Sequence, residues 1–301
     1  MRLEEEKKYY FLSVKVTFMA NRKIYDCFCY FNEDMLLKNR METLWDYVDY
    51  FVICESRKTI SGKNKPLNLN PEKFHRYQSK IRYLVIDSYP FETTDAWKNE
   101  RYQRDYLVNG IYDASPEDII MISDVDEIPK PNIWDQFDPI KYKRADCQQW
   151  MYAYYLNNRW ESKGEPIIWY GTKLTTYKHF ASYFNSSMEL LRNFKSKGLL
   201  RGMKRFWFKK FQTQHLNLAG WHFTWMAGVD AIVTKLESFA HQEFNKPEHK
   251  NKEHIIKIIS SGGDVLFPDR HYVVQDLDEQ FPVEILSNKD VYADYLLNRV
   301  G

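Results

Sequence analysis

The chain has 301 residues, enough for one large core or two modest ones. Hydrophobic residues make up 44% and charged residues 28%, which excludes a disordered chain. A net charge of +2 is too balanced for a nucleic-acid wrap, and no stretch approaches the roughly 18 apolar residues of a membrane span.

Phe11 to Ala20 alternates apolar and polar residues and predicts a half-buried strand. Ile24 to Phe31 predicts a second strand, followed by a helix with Leu36, Leu37, Met41, Leu44, Trp45 and Val48 on one stripe, capped by Asn32 or Asp34. Tyr50 to Cys54 is solidly apolar, as in a buried parallel strand. Thr59 to Pro71 is a polar loop, and Lys80 to Ile86 the next strand. Asp95 to Val108 predicts a helix closed by Asn109-Gly110. Ile119 to Ser123 is a strand, after which Pro129 and Pro131 are expected to stop any regular element. This order of strand, helix, strand, strand, helix, strand marks an α/β nucleotide-binding half, with functional residues at the carboxyl ends of strands.

The second half is less regular. Gln148 to Leu156 and Ile167 to Leu174 read as strands, Lys195 to Lys210 as a mobile basic loop, and Val229 to Phe244 as a helix. Three of the four cysteines (Cys27, Cys29, Cys54 and Cys147) sit in apolar runs and read as buried thiols, which favours a reducing compartment. Met1 to Lys8 is charged and has no signal-peptide core.

The strongest chemical signal is Ser123-Asp124-Val125-Asp126-Glu127-Ile128-Pro129. Asp124 and Asp126 alternate on an extended chain and so face the same way. Two such carboxylates at a strand end suit Mn2+ or Mg2+ bridging phosphate oxygens, although an acidic turn gives the same letters. Glu127 is open to orienting a ligand, to capping or to pairing with Lys130. His222, in Gly220-Trp221-His222-Phe223, is either a further metal ligand or diphosphate contact, or a structural imidazole. Glu55 and Arg57 follow a strand directly, a common place for nucleotide contacts. Glu100, Arg104 and Asp105 share the helix before the acidic strand, where Arg104 either pairs with Glu100 or reaches a phosphate. Asp230 and Glu237 lie two turns apart on one helical face, and each is a candidate general base if that helix borders the cleft. No phosphate-binding glycine fingerprint and no nucleophile elbow occur.

These residues resemble glycosyltransferase family 17, the family of the enzyme that adds bisecting GlcNAc to N-glycans. The matching pieces are Tyr25-Asp26-Cys27-Phe28, Phe31-Asn32-Glu33, Val48 to Val52 with Glu55, Ser61-Gly62-Lys63 and Lys65-Pro66-Leu67. Trp97, Glu100, Gln103-Arg104-Asp105, the Asp124–Pro129 block, Gly220 to Phe223, and Lys235, Glu237, Ser238, Phe239 and His241 continue it in order. The resemblance implies a GT-A-type, Rossmann-like nucleotide-sugar transferase fold with a mixed, mainly parallel central sheet. It implies a UDP-sugar donor, UDP-GlcNAc, a glycan acceptor, and inverting transfer to a β-linked product.

The expected organisation is a single transferase domain over 1–301. Residues 1–23 are an extension with a strand, 24–130 a nucleotide-binding half and 131–301 an acceptor-side half. On this reading Asp124 and Asp126, with His222, hold Mn2+ (or Mg2+) on the UDP diphosphate. Glu55, Arg57, Arg104, Asp105 and Asp124 contact the nucleotide, and Glu237, Asp230 or Glu127 deprotonates the acceptor. Trp221 and Trp225 offer a sugar platform, and the Lys195–Lys210 loop closes over the substrates. Animal members are anchored in the Golgi by an N-terminal membrane segment. This chain shows none, and a cytoplasmic enzyme of bacterial or viral origin, acting on another glycan, is expected. The alternatives are a metal-dependent phosphohydrolase, which needs no acceptor, and a non-catalytic glycan-binding protein.

Overall fold

A computed structural model describes residues 22–91, 95–194, 200–226, 228–238 and 241–297. The strand expected at Phe11–Ala20 lies outside the described residues. The first half contains β1 (Ile24–Cys29), α1 (Asp34–Leu44), β2 (Tyr50–Ser56), β3 (Ile81–Ile86), α2 (Ala96–Tyr106), β4 (Ile119–Asp124) and β5 (Glu127–Pro129). There follow β6 (Arg144–Ala153), β7 (Asn158–Ser162), β8 (Glu165–Pro166), β9 (Ile168–Thr176), α3 (Tyr177–Tyr183), α4 (Met188–Arg192) and α5 (Arg201–Trp207). The chain continues through β10 (Thr213–Leu216), β11 (Gly220–Thr224), α6 (Gly228–Ser238), α7 (Lys252–Ser260), β12 (His271–Val274) and α8 (Val283–Ser287).

The first half follows the apolar pattern. In β1 and β4, alternate residues enter two different cores. Ile24, Phe28, Ile119 and Met121 face α1, whose Leu37, Met41 and Leu44 cover them. Tyr25, Cys27, Ile120 and Ile122 face the opposite side, under Phe180, Phe184, Leu191 and Phe208. Burial on both faces is why these strands read as continuous apolar runs. Asp95 caps α2 by accepting from the Trp97 amide at 3.0 Å. At α1 the expected cap differs: Glu33 precedes the helix and turns its carboxylate back to the Phe31 and Asn32 amides, at 3.0 Å each.

The sheet runs β12-β7-β6-β9-β4-β1-β2-β3. Strands β3, β2, β1 and β4 are parallel, as the strand–helix–strand pattern required. From β4 outward, β9, β6, β7 and β12 pair antiparallel. The sheet is therefore mixed, and the expectation of a mainly parallel one is corrected. β6, β7 and β9 follow one another without a crossover helix and so return antiparallel, whereas β10 and β11, reached after intervening helices, pair parallel with β6.

Two local readings also change. Pro129 ends a short strand, β5, that pairs antiparallel with β11; its missing amide is tolerated at a strand end. Of the loop expected at Lys195–Lys210, residues 201–207 form α5 and residues 208–210 enter a following π turn over Phe208–Gln212. Among the described residues no helix is long and apolar enough to cross a membrane.

Candidate active site

The acidic block reaches the end of β4 and turns into β5. β11 lies along β5 with His222 opposite Glu127, and the Phe223 amide donates to the Asp126 carbonyl at 2.8 Å. This pairing brings His222 Nε2 to 3.6 Å from Asp126 Oδ1. Gly220 permits it: its φ is +149°, and a Cβ there would lie 2.2 Å from the Ile128 carbonyl oxygen.

Asp124, Asp126 and His222 line one cleft of about 600 Å³, together with Arg104, Arg192 and Lys235. A smaller cavity of about 160 Å³ adjoins it and shares Glu33, Asp126, Trp225 and Lys235. The two carboxylates differ. Asp124 Oδ2 accepts from Arg192 at 2.9 Å, and Oδ1 from Arg104 at 3.4 Å. Burial works against its charge, but Arg192 and Arg104 outweigh it and hold the carboxyl below the usual range. Asp126 is 7% exposed. Burial again opposes its charge, and Lys235, at 3.4 Å from Oδ2, together with His222 keeps it well below the usual carboxylate range. Among the described residues no three metal-ligating side chains converge. Asp126 and His222 form the near pair, while Asp124 is engaged by guanidinium groups.

Glu127 is fully buried and committed. It pairs with Arg192, and accepts from Trp169 Nε1 at 2.6 Å and the Asp124 amide at 3.0 Å. It braces the turn, and both its oxygens are occupied, which leaves no free lone-pair face toward the cleft. Asp230 and Glu237 are not brought to the cleft. The Asp230 side chain is 83% exposed and pairs with Lys252 at 2.5 Å, and Glu237 pairs with Lys250 at 3.1 Å. Helix α6 does border the cleft, but through Lys235 and Ser238. Lys235 lies about 140–160° round the helix from the face carrying the two acids.

The expected nucleotide contacts separate in the same way. Arg104 lines the cleft and also bonds Glu100 at 3.0 Å and Glu189 at 3.2 Å. Arg57 lies on the surface, paired with Asp87 at 2.9 Å. Glu55 is buried and anchors the following loop, accepting from Lys65 at 2.5 Å, the Asn68 amide at 2.7 Å and Tyr83 at 2.6 Å. Lys65 rather than Glu55 reaches the cleft. Asp105 accepts from Ser187 Oγ at 2.9 Å and the Glu189 amide at 3.0 Å, and so fixes the start of α4, the helix that carries Arg192. Trp221 is core, whereas Trp225 lines the cleft. No described residue of 200–212 lines it.

Four participants escaped sequence reasoning. Arg40 is buried in α1 and bonds Asp26 at 2.6 and 2.7 Å. It also donates to the carbonyls of Asp124, Val125 and Glu127 at 3.1, 3.2 and 2.9 Å. Its signal was Asp26, a lone acid inside an apolar strand, which demands a buried cation. Arg192 carried no local signal. Glu33 and Lys235 stood inside the family-like segments without a role. Burial raises the Glu33 carboxyl above its usual range, against the pull of Lys235.

The profile of glycosyltransferase family 17 matches residues 11–187. The β-1,4-mannosyl-glycoprotein 4-β-N-acetylglucosaminyltransferase of Rattus norvegicus is 26% identical over 292 residues, covering 87% of this chain and 52% of that enzyme. The Homo sapiens enzyme is 26% identical over 293 residues with the same coverage. The chain thus spans about half the length of the curated relatives it matches. Among solved structures, a Pyrobaculum calidifontis mannosyltransferase with GDP-Man and Mn2+ gives a TM-score of 0.37 at 8% identity, over 67% of this chain and 57% of that one. Glucosyl-3-phosphoglycerate synthase of Mycobacterium tuberculosis gives 0.36 at 12%, over 91% and 94%. At these scores the two structures say nothing about this chain's chemistry. On the sequence match, which runs through the acidic block and the strands that position it, the chain belongs to glycosyltransferase family 17.

Proposed function

We infer that this chain is an inverting glycosyltransferase of GT-A type. It moves a sugar, GlcNAc from UDP-GlcNAc, to a glycan hydroxyl with a β linkage. The observation that carries this reading is the Asp126–His222 pair in a cleft also lined by Arg104, Arg192 and Lys235. A carboxylate kept ionised beside an imidazole nitrogen is an oxygen and nitrogen donor set that suits Mn2+ better than Mg2+, which prefers oxygen donors alone, and the donor's phosphates would add further oxygens. Asp126 and His222 would hold that cation, with Asp124 adjacent. When bound, it would neutralise charge on the departing diphosphate.

The chain's own groups do the rest. Arg104, Arg192 and Lys235 offer positive charge to the diphosphate. Trp225 offers a face for a sugar ring. Glu33 is the best-placed base. It lies where the two cavities meet, makes no ion pair among the described residues, and is tuned toward accepting a proton. The acceptor oxygen attacks C1 as the bond from C1 to the diphosphate oxygen breaks. UDP leaves and the acceptor's proton passes to Glu33. Glu237, Asp230 and Glu127 are less suited, for the placements given above. Residues 24–130 would hold the nucleotide and 131–301 the acceptor within one domain, except that His222, Arg192 and Lys235 reach back to the diphosphate and Glu33 reaches forward to the acceptor. The four free thiols support a reducing, cytoplasmic setting.

UDP release measured with Mn2+ and a panel of UDP-sugars, with and without EDTA, tests the reading. Turnover with UDP-GlcNAc, lost with EDTA, is expected. Neither binding nor turnover across the panel would overturn it. Asp126→Asn is expected to abolish metal-dependent UDP binding, and full retention would remove Asp126 from the site.

A further inference from the structure

Helix α5 and the π turn after it form one continuous 12-residue stretch from Arg201 to Gln212. At helical rise this is about 18 Å long. Leu200, Met203, Phe206, Trp207 and Phe211 recur at helical spacing, so they share a stripe. In a helix packed on a core that stripe would be buried. Here it faces outward: Met203 is 67% exposed, Phe206 64%, Leu200 53%, Trp207 52% and Phe211 49%. Phe208 is the one buried side chain of the stretch, and the Lys143 amide holds its end by donating to the Gln212 carbonyl at 2.9 Å. Phe208 is fully buried, stacks on Phe194 at 3.8 Å between ring centroids, and lies under the Arg144 guanidinium at 5.1 Å.

The exposed side chains support one another. Trp207 and Phe211 are 5.9 Å apart, and the Lys210 ammonium lies 5.6 Å from the Phe206 ring and 5.5 Å from the Phe211 ring. The stripe is thus a formed ridge, of a kind that soluble surfaces rarely leave uncovered. Its charge is one-sided. Arg201, Lys204, Arg205, Lys209 and Lys210 fall within it, and the sequence has no acid between Glu189 and Asp230.

We propose that this ridge docks the protein on the surface of an anionic lipid bilayer. Tryptophan and phenylalanine rings settle at the headgroup level, flanking lysines and arginines meet lipid phosphates, and the stretch lies in the plane of the interface. An acidic protein or a nucleic acid would use the cations but would leave the large apolar side chains in water. A bilayer interface takes up both. The ridge lies outside the cleft, so the proposal stands independently of the transferase reading.

The test is flotation of the full chain with phosphatidylcholine vesicles, with and without phosphatidylglycerol, at low and high salt. Recovery on the anionic vesicles is expected, with little on the neutral ones and weakening by salt. The double variant Phe206→Ser, Trp207→Ser should lower partition about tenfold or more, as should Lys204→Glu with Lys209→Glu. All four side chains are exposed, so melting temperature and UDP-sugar binding should be unchanged. Three outcomes would overturn the proposal. One is no partition onto anionic vesicles. A second is partition that the aromatic variant leaves intact. The third is a dimer in light scattering that the aromatic variant dissolves, which would give the face to a second copy of this chain.

Discussion

Replacing Arg40 by Met tests whether the acidic turn is held from behind by a buried charge. Arg40 and Asp26 have no exposed side-chain surface. Met has a similar length but neither charge nor donors. The change strands the Asp26 carboxylate in the core, which costs about 3–5 kcal/mol. It also takes a donor from Ser123 Oγ and from the carbonyls of Asp124, Val125 and Glu127, at roughly 1 kcal/mol or more for each group left dry. Against a total stability of about 5–15 kcal/mol, the variant should be marginal. Combining it with Asp26→Leu removes the stranded charge. The double variant should regain most of the ion-pair part and stay about 4 kcal/mol below the parent, because Ser123 Oγ and the three carbonyls remain without that donor. Urea unfolding followed by circular dichroism measures both. An Arg40→Met variant within about 1 kcal/mol of the parent would refute the reasoning, as would a double variant no more stable than the single one.

Glu33→Gln should lower kcat about 100- to 10,000-fold while UDP binding changes little, as expected for loss of a general base. Because the base must be ionised and its pKa is raised, the parent's activity should fall on acidification before pH reaches the ordinary carboxylate range. A Gln variant of normal activity would remove Glu33 from the reaction. Gly220→Ala should push β11 off β5, since the added Cβ meets the Ile128 carbonyl oxygen at 2.2 Å. Lower stability and loss of Mn2+-dependent UDP binding are expected together, and unchanged values for both would contradict the placement of His222. His179 has its pKa lowered to about 4, first by burial and then by Lys143. The folded state therefore prefers the neutral ring, and this residue's contribution is full above about pH 6.5 and is lost as pH falls toward 4. His179→Gln should flatten that part of the melting-temperature profile, and an unaltered slope would show that the ring is free to protonate.

The sequence alone determined the parallel half and the strand end at which the acids sit. The runs in β1, β2 and β4 could be read because strands buried on both faces leave an uninterrupted apolar signature, and the acids ending β4 interrupt it at the point where a cleft opens. The segment around His222 was legible as a motif, but its approach to Asp126 was not, because β5 and β11 pair across a long separation and one residue of register reverses which side chains face the cleft. Only the tertiary structure decided which charges are free to act. Glu127 was consumed by Arg192, Glu55 by Lys65 and Tyr83, and Asp230 by solvent and Lys252, while Glu33 and Lys235 came to the cleft. A buried or cleft-side charge must find its counter-charge in three dimensions, and the partner is chosen by packing between elements distant in the chain, which no local spacing records.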